Sequence, residues 1–577
     1  TMVTISKTTK HNWEKLKSDS NGKLTKRANK TLSKKRIVAT GYLDFAPANQ
    51  LLSDIASTGH SVGDIMYTLC LSYLSHANLL ERDNVKTFIS TFASHKVVNI
   101  EIPVGIWESP NDVLGFVYQS LITEGERNMT GQYYTNRRVA DYMLNGKTLE
   151  DGETFLDPCC GSGAFLLAVS TDTPSCLYGF DINPIATMIA GTNLLVKYAR
   201  HDFIPNVYCM DFLQKESYNS HISSNIPPKF DNIYTNPPWG TDKESTYIKD
   251  FPEIKSKERS SMMIVESLKR LEDDGDFYFL LPTSLLKIKI HKDIRKHILS
   301  NATIRKIDLF TDRFDGVFTD YFSIRLSGVP TEHQEYDVTS GKGTAHISLS
   351  ASNKQKGNIA TKELSSTDIS IIQKMESLRH DDLTHSQWAL GIVTGDNKSK
   401  VKKEKSAGME PIYRGKQVTP FKLHQESSYI HFAPETFQQC AKERIYRAPE
   451  KLIYKFIATH PIVAYDDKQC LCLNSANILI PELDSISIKS AAALLNSALY
   501  HYYYSIRFTD IKVLKGNLQE LPFPLLTKEQ DKYLSTLVSQ IHASEYNQNY
   551  QQTINETVFR LFNITPAEQA YILERIK

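Results

Sequence analysis

One stretch limits the folds open to this chain of 577 residues more than any other. Phe155-Leu156-Asp157-Pro158-Cys159-Cys160-Gly161-Ser162-Gly163-Ala164-Phe165 reads as a short apolar strand that turns through small residues into an apolar helix. Glycines in such a turn let a ligand approach the backbone, although a tight loop needs them as well. A second strand, Cys176 to Asp181, closes on a carboxylate roughly 20 residues later, where a doubly wound fold places the acid that takes a ribose diol. Asp181 also suits a helix N-cap, because Asn183 and Pro184 follow and open a helix. A third strand, Val207 to Met210, ends in Asp211-Phe212, an acceptor for an adenine amine beside an apolar lid. From Thr154 to Leu326 strands and helices alternate, the pattern of a parallel sheet with helices on both faces.

The strand before Asn236 leads into a loop of different chemistry, Asp231-Asn-Ile-Tyr-Thr-Asn-Pro-Pro-Trp-Gly240. Asn236 offers a side-chain carbonyl, and Pro237 fixes φ while leaving its own carbonyl free, so two acceptors can face the two protons of one NH2 group. Pro238 stiffens the turn and Trp239 adds a stacking face. Together they suit a flat, polar, exocyclic amine.

In this order, the motifs resemble the S-adenosylmethionine-dependent DNA amino-methyltransferases, specifically the N6-adenine enzymes of the γ arrangement, including type IIG enzymes and type I modification subunits. There the cofactor motifs precede the Asn-Pro-Pro-aromatic loop and target recognition follows. Gly131-Gln132-Tyr133-Tyr134-Thr135 is similar to the segment that closes over the methionine end of the cofactor; the family usually has Pro where this chain has Asn136. The resemblance implies a Rossmann-like α/β methyltransferase domain with a helical N-terminal domain and a C-terminal α+β target-recognition domain. It implies cofactor contacts from Tyr133, Tyr134, Thr135, Asp157, Cys159, Gly161, Gly163, Asp181, Ile182, Asp211, Phe212 and Asn236, and catalysis by Asn236, Pro237, Pro238 and Trp239. Phe314, ahead of Phe318, resembles a second aromatic held against the target base. The implied reaction is methylation of adenine N6 in double-stranded DNA after base flipping, within a restriction-modification or related system, with no metal. Asn at the head of the loop favours adenine over N4-cytosine. RNA and protein-glutamine methyltransferases share such loops but generally lack a recognition domain of this size, and a DNA-binding module with a dead methylase fold would not need Asn236, Asp181 and Asp211 intact. No convincing nuclease set precedes residue 125, so any restriction endonuclease is expected on a separate chain; whether such a nuclease or a separate specificity partner exists stays open, and a monomer is expected.

Composition bounds the setting. A 41% hydrophobic and 23% charged content is ordinary for a globular protein, and a net charge of +2 makes any nucleic-acid surface local. Phe277 to Leu286 is the most apolar stretch and is far short of the roughly 18 residues a membrane span needs. No secretory signal is evident, and Thr1 ahead of Met2 reads as an expression scar. The 8 cysteines lack zinc-binding spacing, and several fall in or beside the expected parallel sheet, where a free Cys behaves as a small buried hydrophobe, so a reducing compartment is expected; the resemblance implies a bacterial or archaeal cytoplasm. Pro158-Cys159 lies in the cofactor turn rather than the catalytic loop, which argues against a nucleophilic cysteine.

Along the chain, the expected divisions are a basic arm over 1–36, a helical domain over 37–125, the catalytic domain over 126–345, a linker over 346–385, target recognition over 386–525 and closing helices over 526–577. Residues 391–460 carry an excess of Lys and Arg over Asp and Glu, interleaved with Tyr413, Tyr446, Tyr454 and Phe456, which suits phosphates and base edges. Lys398, Arg414, Lys416, Lys451 and Lys455 are the expected DNA contacts. A solvated face over an aromatic core is the plainer reading of any one tyrosine.

Overall fold

The computed structural model describes residues 45–55, 58–123, 135, 137–214, 226–241, 246–310, 320–341, 343–349, 354, 357–362, 364–424, 428–508, 512–543 and 548–576. The described residues form two compact units, 45–362 and 364–576.

The first unit is built on one nine-stranded sheet: β1 (Phe155–Asp157), β2 (Leu177–Asp181), β3 (Asn206–Cys209), β4 (Phe230–Thr235), β5 (Leu271–Pro282), β6 (Thr303–Leu309), β7 (Tyr321–Ser327), β8 (Gln334–Ser340) and β9 (Gly343–Leu349), in the order 3-2-1-4-5-7-6-8-9. Strands β1 to β5 pair in parallel, as the alternation of elements predicts. Strand β7 instead runs antiparallel between β5 and β6. The β6–β7 connection, residues 310–320, is shorter than the dozen or so residues that a crossover to a parallel neighbour takes, so the chain turns back.

Strand β5 shows how the pleat divides the core. Phe277, Phe279 and Leu281 face helices Arg259–Arg270 and Lys292–Asn301, through Ile264, Val265, Ile294 and Ile298. Tyr278 and Leu280 point the other way, towards Phe165, Ala190 and Leu194. The helices Ala46–Ile55, Val62–His76 and Val113–Leu121 share a core with Ala186, Met188 and Ile189 of the helix Pro184–Lys197. They therefore belong to the same compact unit as the sheet.

In the second unit, one four-stranded sheet orders Gln387–Leu390, Ala476–Ile480, Lys451–Lys455 and Val463–Asp466, and another contains Glu410–Tyr413 and Leu471–Cys472. The helices Ile488–Leu495, Ala498–Arg507, Lys528–Ala543, Gln548–Leu561 and Pro566–Arg575 pack beside them over one core. Part of the stretch expected as a linker is ordered: Ser366–Ser377 is a helix opened by a reciprocal Ser365–Asp368 capping box, with Ile371 and Met375 buried in that core. The chain closes on the helices Gln548–Leu561 and Pro566–Arg575, with Thr565 capping and Pro566 opening the last. Among the described residues, no helix is long and apolar enough to cross a membrane, and no group of three or more His, Cys, Asp or Glu side chains could hold a metal ion. The cysteines are all free.

Candidate active site

In an open α/β sheet, ligands bind beyond the carboxyl ends of the strands, where the strand order reverses. Here that point lies between β1, which continues to β2 and β3 on one side, and β4, which begins the other. Asp157 ends β1, and Thr235 ends β4 one residue before Asn236. The two strands are joined there by Thr235 Oγ1 donating to Asp157 Oδ1 at 2.6 Å, while Cys159 N–H donates to the same oxygen at 3.1 Å. The turn sequence and the amide loop, far apart in the chain, thus meet at one place.

The glycine turn is tied to β2. Gly161 N–H donates to Asp181 Oδ2 at 3.0 Å, and Asn183 N–H donates to Asp181 Oδ1 at 2.8 Å. Each carboxylate oxygen can accept more than one donor, so Asp181 keeps capacity for a ligand. The structure gives the N-cap to Asn183 instead, whose Oδ1 accepts from Ile185 and Ala186 N–H, with Pro184 opening the helix. Gly163 has φ of 95°, open to glycine at little cost, and a Cβ there would sit 3.4 Å from Ala190 Cβ. Met210 N–H donates to Asp181 O, and Asp211 Oδ1 accepts Leu213 N–H at 3.0 Å. Phe212 is buried and stacks on Phe180, 6.0 Å between centroids, while Ile182 is exposed. Thr135 is buried; Tyr133 and Tyr134 lie outside the described residues, as do Phe314, Phe318 and the basic arm.

Carboxylates crowd this end of the sheet. Burial raises the Cys159 thiol well above its ordinary pKa, and the charges of Asp157, Asp181 and Asp211 add to it. Burial also pushes Asp181 up to about 6, against hydrogen bonds from Asn183 and Gly161 N–H. Asp157 is pushed up to about 7 by burial and by the charge of Asp181, against hydrogen bonds from Thr235 and Cys159. A carboxyl whose folded pKa stands above its unfolded value gives stability that is fully present below the unfolded value, here 3.8, and is lost as the pH rises through about 7. Asp157→Asn is therefore expected to gain stability relative to the parent between pH 5 and pH 8. Thermal melts at both values check this, and parallel pH dependence in the two proteins would sink it.

Pro237 is buried, Asn236, Pro238 and Trp239 are half-buried, and Trp239 lies 6.5 Å from the Tyr321 ring, centroid to centroid. Tyr321 stacks on Phe310 at 5.0 Å, and Phe310 meets Tyr142 edge-on at 5.6 Å, an aromatic row running from the loop across β7 and β6 to the helix Arg137–Leu144. Sequence reading missed Tyr321, which opens β7, and Phe310, just past the end of β6, because both look like ordinary core.

It also missed a brace. Helix Val113–Leu121 is buried along its whole length. At its start Asp112 caps Gly115 and accepts from Asn193 Nδ2 at 2.9 Å, which also donates to the carbonyl of Ser162 in the glycine turn. Towards its end Tyr118 OH accepts from Asn183 Nδ2 at 2.6 Å. One helix thus holds both the glycine turn and the turn after Asp181, by contacts that no local sequence signal announces.

The expected DNA contacts divide. Lys398 and Lys416 are exposed, and Arg414 and Lys455 are half-buried. Lys451 is a correction: it is fully buried, with its ammonium 2.5 Å from Asp466 Oδ2 and 2.8 Å from the carbonyl of Tyr446. Lys451 and Asp466 are paired directly across neighbouring strands, so the side chain faces the interior rather than a phosphate. Tyr413, Tyr446 and Tyr454 are buried core residues as well, the plainer of the two readings.

Comparison with known proteins agrees with this arrangement. Residues 109–325 match the N-6 DNA Methylase family model, and residues 410–523 match that of the TaqI-like C-terminal specificity domain. The chain is 31% identical over 318 residues to the type II methyltransferase M.VspI of Vibrio sp. (strain 343), covering 53% of this chain and 75% of that protein. It is 25% identical over 242 residues to the type I restriction enzyme EcoEI methylase subunit of Escherichia coli, covering 37% of this chain and 45% of that one. In fold it resembles the type IIL restriction-modification enzyme MmeI in complex with DNA, with a TM-score of 0.55 at 12% identity over 98% of this chain and 97% of that one. A sheet that brings an amide loop and an acid-bearing glycine turn to one switch point, matched in sequence across most of a type II methyltransferase, makes this chain a member of the N-6 DNA methylase family of restriction-modification DNA methyltransferases, with a TaqI-like specificity domain following.

Proposed function

We propose that the protein transfers a methyl group from S-adenosylmethionine to the N6 of adenine at one short sequence in double-stranded DNA, with the base flipped out of the helix. The observation that carries this reading is the junction of Asp157 and Thr235, which sets the Asn236 loop against the glycine turn and Asp181. The donor set suits the cofactor: a carboxylate at the end of β2 for a ribose diol, glycine backbone open to close approach, and three carboxylates around Cys159 that favour a cationic ligand. When bound, S-adenosylmethionine supplies the electrophilic methyl group.

The remaining chemistry falls to the loop. An adenine amine is conjugated with its ring and is a poor nucleophile. Acceptors at the Asn236 side chain and the Pro237 carbonyl hold both amine protons and favour a localised lone pair, an interaction that strengthens as the nitrogen becomes tetrahedral. Trp239 replaces stacking lost when the base leaves the duplex. Orientation of the amine towards the methyl group supplies a further share of the rate.

Single-molecule sequencing of genomic DNA from methylation-free cells expressing the protein tests the reading. N6-methyladenine at one short motif is the expected result. Unmodified DNA from cells with folded, cofactor-binding protein would overturn it.

A further inference from the structure

The exit of the amide loop is held by a residue to which neither the resemblance nor the motifs give a role. Gly240 follows Trp239 with φ of 115°, a conformation that side-chain-bearing residues rarely adopt. Its N–H donates to Glu258 Oε1 at 2.5 Å, its carbonyl accepts Arg259 N–H at 3.0 Å, and Thr241 bridges Glu258 in antiparallel fashion. Both backbone groups of one residue are therefore clipped to the start of helix Arg259–Arg270. That helix is itself fixed to the sheet through Met262, Met263, Ile264 and Val265.

Three features mark Glu258 as more than a helix start. It stands at the N-cap position, and its side chain makes no hydrogen bond to the first turn of the helix. Its side chain is directed to the loop instead. It is only 8% exposed, a costly place for a carboxylate without a specific partner. The residue before it, Lys257, adopts φ of 54°, a strained value for a non-glycine residue, and buried Ser256 accepts Glu258 N–H. Strain and burial are both accepted in order to aim this carboxylate at Gly240.

We propose that Glu258 is a positioning residue for methyl transfer, setting the exit of the Asn236–Trp239 loop so that the amide and the indole meet the target base in register. The inference rests on the reaction proposed above and adds a residue to it. The bonds that hold Glu258 to Gly240 are separate from those that tie the glycine turn to Asp181, so its loss is expected to act on the presentation of the base rather than on cofactor binding.

The test uses the full-length protein, a duplex oligonucleotide carrying the motif found by sequencing, and radiolabelled S-adenosylmethionine. Glu258→Ala is expected to lower kcat by about 10- to 100-fold, the scale of a small misplacement of reacting groups. Cofactor Kd is expected to stay within about twofold, as the cofactor turn is held by separate bonds. Glu258→Gln keeps an acceptor for Gly240 N–H and is expected to restore most of kcat. Unchanged kcat in Glu258→Ala, a glutamine variant as poor as alanine, or equal loss of kcat, cofactor affinity and melting temperature would each overturn the inference while leaving the proposed reaction intact. A wild-type protein that methylates no adenine would overturn the reaction and the inference together.

Discussion

Asn236→Ala is expected to lower methyl transfer by about 10²- to 10³-fold in kcat, the scale on which single preorganised polar groups act on a developing charge. The protein should still fold, because Asn236 is half-buried at a strand end and the neighbouring Thr235–Asp157 bond remains. Cofactor affinity should change far less than kcat, since Asp181 and the glycine turn are tied to one another by bonds that do not pass through Asn236. The split matters more than the size of the loss. A variant that binds S-adenosylmethionine in calorimetry and yet leaves DNA unmodified places the amide in the chemical step. A variant that loses cofactor binding to the same degree would assign Asn236 to the cofactor and remove the argument for paired acceptors on the amine. Rates comparable to the parent would leave the loop without its proposed role.

The parts of this site that could be read from sequence are those whose geometry is made locally. A strand, small residues and a helix must turn in a particular way whatever surrounds them, so Asp157, Gly161, Gly163 and Asp181 were visible as a group, and β4 delivered Asn236 to the expected edge of the sheet. Even there the cap was assigned by short-range detail: Asn183 takes it, and Asp181 is left to the glycine turn. The supports were invisible for the opposite reason. Glu258, Asp112, Tyr118, Asn193, Phe310 and Tyr321 act through partners far away in the chain, and each looks unremarkable in its own window. The helix Ser366–Ser377 is a different kind of miss. Its capping box and its buried Ile371 and Met375 were present in the sequence, but the serine-rich surroundings read as linker. The reversal of β7 was also available, from the shortness of the connection before it.

Lys451 shows why counts of charge mislead, and it leads to the largest expected effect on stability. Within a basic stretch every lysine adds equally to the total, but a strand sends alternate side chains to opposite faces, and the face is set by its partners. Lys451 opens a central strand and is opposed by Asp466, with both side chains buried and the ammonium also held by the Tyr446 carbonyl. Asp466 Oδ2 further accepts Cys470 N–H at 2.9 Å. Removing the lysine alone leaves a buried carboxylate without its counter-charge, and Lys451→Ala is expected to destabilise the second unit by about 3–5 kcal/mol. A double replacement, Lys451→Met with Asp466→Leu, removes both charges and should recover much of that loss, the remainder reflecting the Cys470 and Lys468 N–H groups that lose Asp466 and the Tyr446 carbonyl that loses the ammonium. The measurement is chemical denaturation followed by a probe in the second unit, with DNA affinity measured on folded protein. A stable Lys451→Ala variant with weakened, less salt-dependent DNA binding would return this lysine to the DNA surface, because only a phosphate contact lowers the salt slope without lowering stability.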